Sequence, residues 1–122
     1  MYNSIIVDNF SNPCHSGELT SPDFSIELDN PVCGDRMIVQ GMLSSDRVVI
    51  QIKFQAWGCA TSIAAANIFC GFLLNRRLSE VRDTQTEKMD TLLGDLDPSQ
   101  YHCLEMLKNL FQKTKEIDAE IE

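Results

Sequence analysis

Residues 47–75, RVVIQIKFQAWGCATSIAAANIFCGFLLN, decide the fold of this chain. The first part, RVVIQIKF at 47–54, is rich in β-branched and other apolar residues, which predicts a β-strand. After Gly58 the pattern changes, because TSIAAANIFCGFLLN at 61–75 is rich in alanine and apolar on almost every side. Such a segment is typical of a buried helix. We therefore expect the chain to pass from a strand into a buried helix just after Gly58.

Two further strands are predicted before this stretch. DFSIELD at 23–29 alternates apolar and polar residues, and RMIVQGML at 36–43 is rich in long and β-branched apolar side chains. Because only SSD at 44–46 separates the second of these from RVVIQIKF, those two strands should form a hairpin. The first ten residues, MYNSIIVDNF, have the pattern of a short amphipathic helix.

Helices are predicted after the buried one. SEVRD at 79–83 and QTEKMDTLLG at 85–94 are short helical pieces. DPSQYHCLEMLKNLFQKTKEIDAEIE at 97–122 is the strongest helical pattern, with Asp97 as a plausible N-cap and Pro98 in the first turn. The expected fold class is α+β, a small three-stranded antiparallel sheet with helices packed on one face.

Length and composition limit the class of protein. The chain has 122 residues, which predicts a single domain spanning 1–122. The net charge of −8 and the lack of a basic cluster argue against nucleic-acid binding. No apolar run approaches the roughly 20 residues that span a bilayer, so no membrane segment is expected. The N-terminus lacks the basic start of a secretory signal, and we expect a cytoplasmic chain.

The five cysteines are the most informative residues for function. Their odd number, wide spacing and lack of any CxxC pair favour a reducing compartment over a disulfide framework. Cys33, Cys59 and Cys103 lie at predicted element boundaries, which can converge in space. Asp35 and His102 lie beside them and offer an oxygen and a nitrogen ligand. Three thiolates with one such ligand are suited to zinc or to an iron–sulfur cluster.

A plainer interpretation stays open at this point, since free cysteines often only fill space in a core. Cys70 lies in the middle of the predicted buried helix and is expected to be a core residue. Cys14 follows Pro13 in a turn, where an incidental surface thiol is the simpler interpretation. Spacing alone therefore does not decide between a metal site and dispersed thiols.

Four segments together resemble the iron–sulfur cluster assembly scaffolds of the IscU type, also called the NifU N-terminal domain. NPVCGDR at 30–36 resembles the first cysteine motif of that family, and KFQAWGCATSIAAANI at 53–68 resembles the second. LDPSQYHCLEML at 96–107 resembles the segment leading to a His-Cys pair, and VDNFSNPCHSG at 7–17 resembles the opening helix and turn. The motifs occur in the family's order over nearly the whole chain, and the resemblance implies an IscU/NifU-N-like fold.

The resemblance implies a role for each candidate residue. Cys33, Cys59 and Cys103 would ligate a transient [2Fe–2S] cluster, or a zinc ion in the isolated protein. Asp35 would be an exchangeable ligand that eases cluster transfer, and His102 an alternative ligand. Cys103 would be the first acceptor of persulfide sulfur from a cysteine desulfurase. The implied protein is a scaffold and carrier rather than an enzyme, and its other partners would be iron and electron donor proteins and acceptor apo-proteins.

The chain departs from the family at several positions that would face partners. Asn9 and Cys14 replace a histidine and an arginine of the opening motif. Asp97 and Gln100 replace a proline and a lysine in the segment that an Hsp70-type chaperone recognises, which weighs against chaperone docking. Leu104 replaces the usual serine after His-Cys. A divergent paralogue is therefore expected.

Two alternatives to a cluster scaffold stay open, and the departures motivate the second of them. One is a zinc-binding sulfur acceptor of the SufU type, and the other is a regulatory paralogue. The resident metal, the particular partners and the oligomeric state, with a homodimer among the options, are not decided by the sequence.

Overall fold

The computed structural model describes residues 2–30, 34–83 and 91–121. An antiparallel sheet of three strands, in the order β1-β2-β3, confirms the predicted fold class. Helices pack against it, so the fold is α+β as expected. The described elements are α1 (Ser4–Ser11), β1 (Phe24–Asn30), β2 (Asp35–Leu43), β3 (Val49–Trp57), α2 (Ala60–Leu73), α3 (Leu78–Arg82), a 3-10 turn (Pro98–Gln100) and α4 (Tyr101–Ile121). The predicted piece at 85–94 falls mostly outside the described residues.

One face of the sheet contributes its side chains to the hydrophobic core. Ile26, Val39 and Phe54 lie side by side in the strand register, and all three are buried. Along β2 the buried positions alternate with more exposed ones, starting at Asp35 and continuing through Met37 and Val39. Because alternate residues of a strand share a face, Asp35 lies on the same face as this apolar core.

The helix α2 is buried as its composition predicts. Alanines 64 to 66 and Phe69 have no exposed surface, and the helix lies between the sheet, α1 and α4. Phe111 of α4 packs edge-to-face against Phe69 and Phe72, at ring-centroid distances of 5.1 and 5.4 Å. This geometry is favourable for aromatic pairs, and it fixes α4 along α2.

The hairpin turn between β2 and β3 differs from the simple turn expected at 44–46. The strand β3 begins at Val49 rather than at Arg47 and runs on to Trp57, because its end pairs with Arg36 at the start of β2. Arg47 itself has a left-handed backbone, with φ of 65°. Its guanidinium forms an ion pair with the buried Asp118 of α4 and donates to the Asp118 carbonyl oxygen. The turn is therefore attached to the distal part of α4.

Helix α1 packs on one side of α2, and fewer of its apolar side chains are buried than its amphipathic pattern predicts. Ile6 is buried, whereas Ile5 and Phe10 keep exposed surface. The side chain of Asn3 caps the helix by accepting from the backbone N–H of Ile6. Among the residues described, no helix combines the length and the apolar character needed to cross a membrane.

Candidate metal centre

Asp35 reaches the candidate site from the first position of β2. Gly34 precedes it with φ of 75°, a left-handed conformation that glycine adopts without a steric penalty. The side chain of Asp35 lies on the buried face of β2, and the residue is only 5% exposed. A buried carboxylate needs polar partners, and it finds them on the two helices that begin nearby.

The first of these helices, α2, contributes Cys59 and Ser62. Cys59 is the N-cap residue and is exposed, whereas Ser62 lies in the first turn and is fully buried. The hydroxyl of Ser62 donates to Oδ2 of Asp35 at 2.6 Å and lies 3.4 Å from the sulfur of Cys59. This serine was not among the residues predicted from the sequence.

The second helix, α4, contributes His102 and Cys103 in its first turn. The preceding residue Gln100 is held on α2, because its Nε2 donates to the hydroxyl of Thr61 at 2.9 Å. Its Oε1 accepts from the backbone N–H of Asp97 at 3.0 Å. These two contacts fix the start of α4 against the start of α2, and they bring the His-Cys pair to Cys59.

The four candidate ligands form one group in which all ligand atoms lie within 4.8 Å of one another. The sulfur atoms of Cys59 and Cys103 are 3.8 Å apart. The Nε2 atom of His102 lies 3.3 Å from the sulfur of Cys103, 4.0 Å from that of Cys59 and 3.1 Å from Oδ2 of Asp35. Residues from three separate elements thus converge on one point, as the sequence interpretation requires.

Two of these separations match those expected around a single tetrahedral ion. Zinc–sulfur bonds of about 2.3 Å at tetrahedral angles place two sulfur ligands about 3.8 Å apart, and zinc bonds to nitrogen and oxygen place that pair about 3.3 Å apart. The observed distances are 3.8 Å for Cys59 to Cys103 and 3.1 Å for His102 to Asp35. The donor set therefore suits zinc, with His102 releasing any proton on Nε2 when it becomes a ligand.

The two thiols differ in how readily they ionise. Partial burial opposes ionisation of Cys59, but hydrogen bonds with Ser62, His102 and Cys103 outweigh it and lower the pKa of Cys59. Burial raises the pKa of Cys103 to about 12, against an opposing hydrogen bond with Ser62. The thiolate is the form that binds metal or attacks sulfur, so Cys59 is the more available thiol of the pair.

The other cysteines lie elsewhere. Cys33 is outside the described residues, so its predicted role as a ligand stays a prediction. Cys70 is buried within α2, in agreement with its prediction as a core residue, and burial raises its pKa strongly. Cys14 is exposed, as expected, and does not join the group of four.

Gly58 allows the close approach of the backbone to Asp35. Its φ is 151°, and a Cβ atom there would lie 2.3 Å from Oδ1 of Asp35. We expect Gly58→Ala to lower the free energy of unfolding by about 1–3 kcal/mol, through backbone strain and displacement of the carboxylate. Urea unfolding monitored by circular dichroism measures this loss.

Gly71→Ala is the matched control for this substitution. At that position in α2 a Cβ atom would only touch His15, at 3.5 Å. Alanine favours a helix interior over glycine by about 0.5–1 kcal/mol, so this variant should be neutral or more stable. Equal losses of stability in the two variants would contradict the argument for Gly58.

Comparison with known proteins identifies the family. The model of the NifU-like N terminal domain matches residues 1–116. The chain belongs to the NifU-like N terminal domain family. The iron-sulfur cluster assembly scaffold protein IscU 1 of Archaeoglobus fulgidus is 30% identical over 103 residues, covering 84% of this chain and 67% of that protein. The scaffold protein IscU of Azotobacter vinelandii is 26% identical over 105 residues, covering 84% and 81%.

Solved structures agree with this assignment at the level of the fold. The SufU protein of Fervidobacterium islandicum superposes with a TM-score of 0.65 at 20% identity, covering 95% of this chain and 94% of that one. The N-terminal part of a NifU-like protein of Brucella abortus gives a TM-score of 0.60 at 17% identity, covering 93% and 79%. The predicted membership of the IscU/NifU-N-type family is thus confirmed.

Proposed function

We propose that this NifU-N-type chain is an iron–sulfur cluster assembly scaffold, which receives iron and persulfide sulfur and passes a transient [2Fe–2S] cluster to apo-proteins. The observation that carries the proposal is the convergence of Asp35, Cys59, His102 and Cys103 within 4.8 Å. Relatives of this chain are named as scaffolds of this kind. A role as a scaffold and carrier, without turnover of its own, agrees with those names.

In this proposal each residue keeps the role that the family resemblance implies. Cys33, Cys59 and Cys103 hold the cluster, with Asp35 as the exchangeable ligand and His102 as an alternative one. The cysteines described here are free thiols, which suits a reducing, cytoplasmic setting.

The sulfur step is a thiol exchange. The thiolate of Cys103 attacks the outer sulfur of the donor's persulfide, the new S–S bond forms on Cys103, and the donor cysteine leaves as a thiolate. Cys103 has no exposed surface, whereas Cys59, 3.8 Å from it, is exposed. Attack by Cys103 therefore requires a small opening beside Cys59, which would admit the persulfide and relieve the burial that raises the pKa of Cys103. The partners proposed for these steps are a cysteine desulfurase, iron and electron donors, and acceptor apo-proteins.

The segment before His-Cys supports the expectation that Hsp70-type chaperone docking is weak. Gln100 stands where the family has a lysine, and it is 8% exposed, with its side chain bound to Thr61. A side chain with its polar groups already bonded to the fold offers little to a chaperone. This arrangement favours a member of the family whose partners differ from those of the IscU proteins.

Anaerobic reconstitution tests the proposed function. The purified protein, incubated with ferrous iron, cysteine, a cysteine desulfurase and excess dithiothreitol as the electron donor, should develop a visible charge-transfer chromophore and contain iron and labile sulfide in equal amounts. Cys14→Ser is the matched control, because this exposed thiol lies outside the group of four, and it should leave the chromophore intact. Failure to form a chromophore with all five cysteines present would overturn the scaffold proposal.

A zinc-binding sulfur acceptor of the SufU type is the second candidate, because the ligand separations suit one tetrahedral ion. Tightly bound zinc and faster desulfurase turnover, without a transferable cluster, would favour it. The third possibility, a regulatory paralogue, would be favoured if neither metal nor sulfur bound. The reconstitution, together with the zinc content of the purified protein and the turnover of the desulfurase, separates all three.

A further inference from the structure

Ser62 occupies the middle of the candidate centre without being a metal ligand itself. It has no exposed surface, and its Oγ lies 2.6 Å from Oδ2 of Asp35. The same oxygen is 3.4 Å from the sulfur of Cys59 and 3.4 Å from the sulfur of Cys103. One buried hydroxyl thus contacts three of the four groups that the proposed function requires.

The Ser62 hydroxyl has only one proton to donate, and the contact distances indicate which acceptor receives it. A serine hydroxyl is one donor with two acceptor sites. The contact with Asp35 is short, as expected of a bond to a charged acceptor, whereas the two sulfur contacts are longer. Ser62 therefore donates to the carboxylate, and its lone pairs remain for the S–H groups of the two thiols.

The oxygen that accepts this bond is the one that faces the metal centre. Oδ1 of Asp35 lies against the backbone of Gly58, where a Cβ would be 2.3 Å away. Oδ2 faces His102 at 3.1 Å and Ser62 at 2.6 Å. A metal bound by Asp35 through Oδ2 would share that oxygen with the Ser62 hydroxyl. Because a metal withdraws charge from the oxygen, the hydrogen bond is stronger to the free carboxylate than to the bound one.

We propose that Ser62 is a positioning residue that keeps Asp35 an easily displaced ligand, by stabilising the carboxylate in its unligated state. The inference rests on the proposed function and deepens it, since it assigns a cause to the exchangeable behaviour of Asp35. Ser62 acts through the carboxylate and needs no contact with the metal. Removal of its hydroxyl makes Asp35 a stronger ligand and slows metal release.

Zinc release tests this inference without requiring an assembled cluster. The full chain is loaded with zinc, mixed with an excess of a chelator that absorbs on binding zinc, and followed by stopped flow. Ser62→Ala should release zinc about three- to tenfold more slowly than the unchanged protein, the size expected for part of a hydrogen bond to a charged group. Release at the same rate or faster would overturn the inference.

The Asp35→Ala background separates positioning from a merely structural role. With the carboxylate removed, the hydroxyl keeps only its two longer contacts with the sulfurs of Cys59 and Cys103, and Ser62→Ala should then change the release rate by less than about twofold. An effect of the same size in both backgrounds would show that Ser62 acts through packing or through the thiols, against the inference. Thr114→Val is a second control, because it removes a buried hydroxyl that bonds only to the carbonyl of Leu110 in α4, and it should leave zinc release unchanged.

Transfer of a reconstituted cluster to an apo-ferredoxin is the second measurement, and it should slow by a similar factor in Ser62→Ala. If the unchanged protein forms no cluster, the scaffold proposal fails while the zinc experiment still decides the role of Ser62. If it forms a cluster and zinc release does not respond to Ser62→Ala, the scaffold proposal stands and the inference fails.

Discussion

Replacement of Cys103 by serine should lower the affinity for zinc by about 100-fold or more, because it removes one of the two thiolate ligands that the group offers. Cys103 supplies one of two sulfur ligands in the group of four, at 3.8 Å from the other. A serine hydroxyl at the same place ionises far less readily than a thiol and is a poor ligand for zinc. Isothermal titration calorimetry with a competing chelator measures the affinity, and Cys59→Ser should give a comparable loss.

The affinity of the unchanged protein should also rise with pH. Zinc binds the thiolate forms, and burial raises the pKa of Cys103 to about 12, so its thiol must lose a proton on binding at neutral pH. Each proton released gives about a tenfold rise in affinity per pH unit. Cys103→Ser should show a shallower slope by one proton. Zinc bound by Cys103→Ser as tightly as by the unchanged protein would exclude Cys103 from the site.

The second large effect concerns stability, and it is expected from the ion pair that joins the hairpin turn to α4. Arg47→Ala should lower the free energy of unfolding by about 3–5 kcal/mol, because it removes the cation that is paired with a buried carboxylate. Asp118 is 1% exposed and is bound by the guanidinium of Arg47. Thermal and urea unfolding of the two proteins, followed by circular dichroism, measure the difference.

Arg47→Gly separates the ion pair from the backbone conformation at the same position. Arg47 has φ of 65°, and glycine adopts that conformation at about 1–2 kcal/mol less cost than other residues. The glycine variant should therefore be more stable than the alanine variant, while both are less stable than the unchanged protein. If Arg47→Ala and Asp118→Asn both unfolded like the unchanged chain, the ion pair would contribute nothing measurable.

The strands and the buried helix could be predicted because each is a local pattern. The change from the β-rich 47–54 to the alanine-rich 61–75 marks the passage into α2, and the structure places that helix from Ala60 to Leu73. The ends of β3 were less predictable. Pairing with β2 extends β3 to Trp57. At its other end β3 begins at Val49, after Arg47, whose side chain is paired with Asp118 of α4. Such boundaries depend on residues far away in the sequence.

The grouping of four candidate ligands could be predicted from the sequence, whereas the serine that supports them could not, and their role as ligands stays a prediction. Asp35, Cys59, His102 and Cys103 stand in motifs that resemble a known family, and the structure brings them together. Ser62 has no such signal, since it follows Thr61 in a run of small residues that all suit a buried helix. Which of the two hydroxyls faces Asp35 depends on the rotation of α2 over the sheet, and sequence patterns do not contain that angle.

Because the candidate ligands lie on three different elements, metal binding and folding of this chain are thermodynamically linked. Asp35 begins β2, Cys59 caps α2, and His102 and Cys103 lie in the first turn of α4. An ion held by all of them binds the folded chain and not the unfolded one, so mass action stabilises the folded state by an amount that grows with the free metal concentration. Under the proposed function, delivery of the cargo would therefore remove a cross-link among three elements.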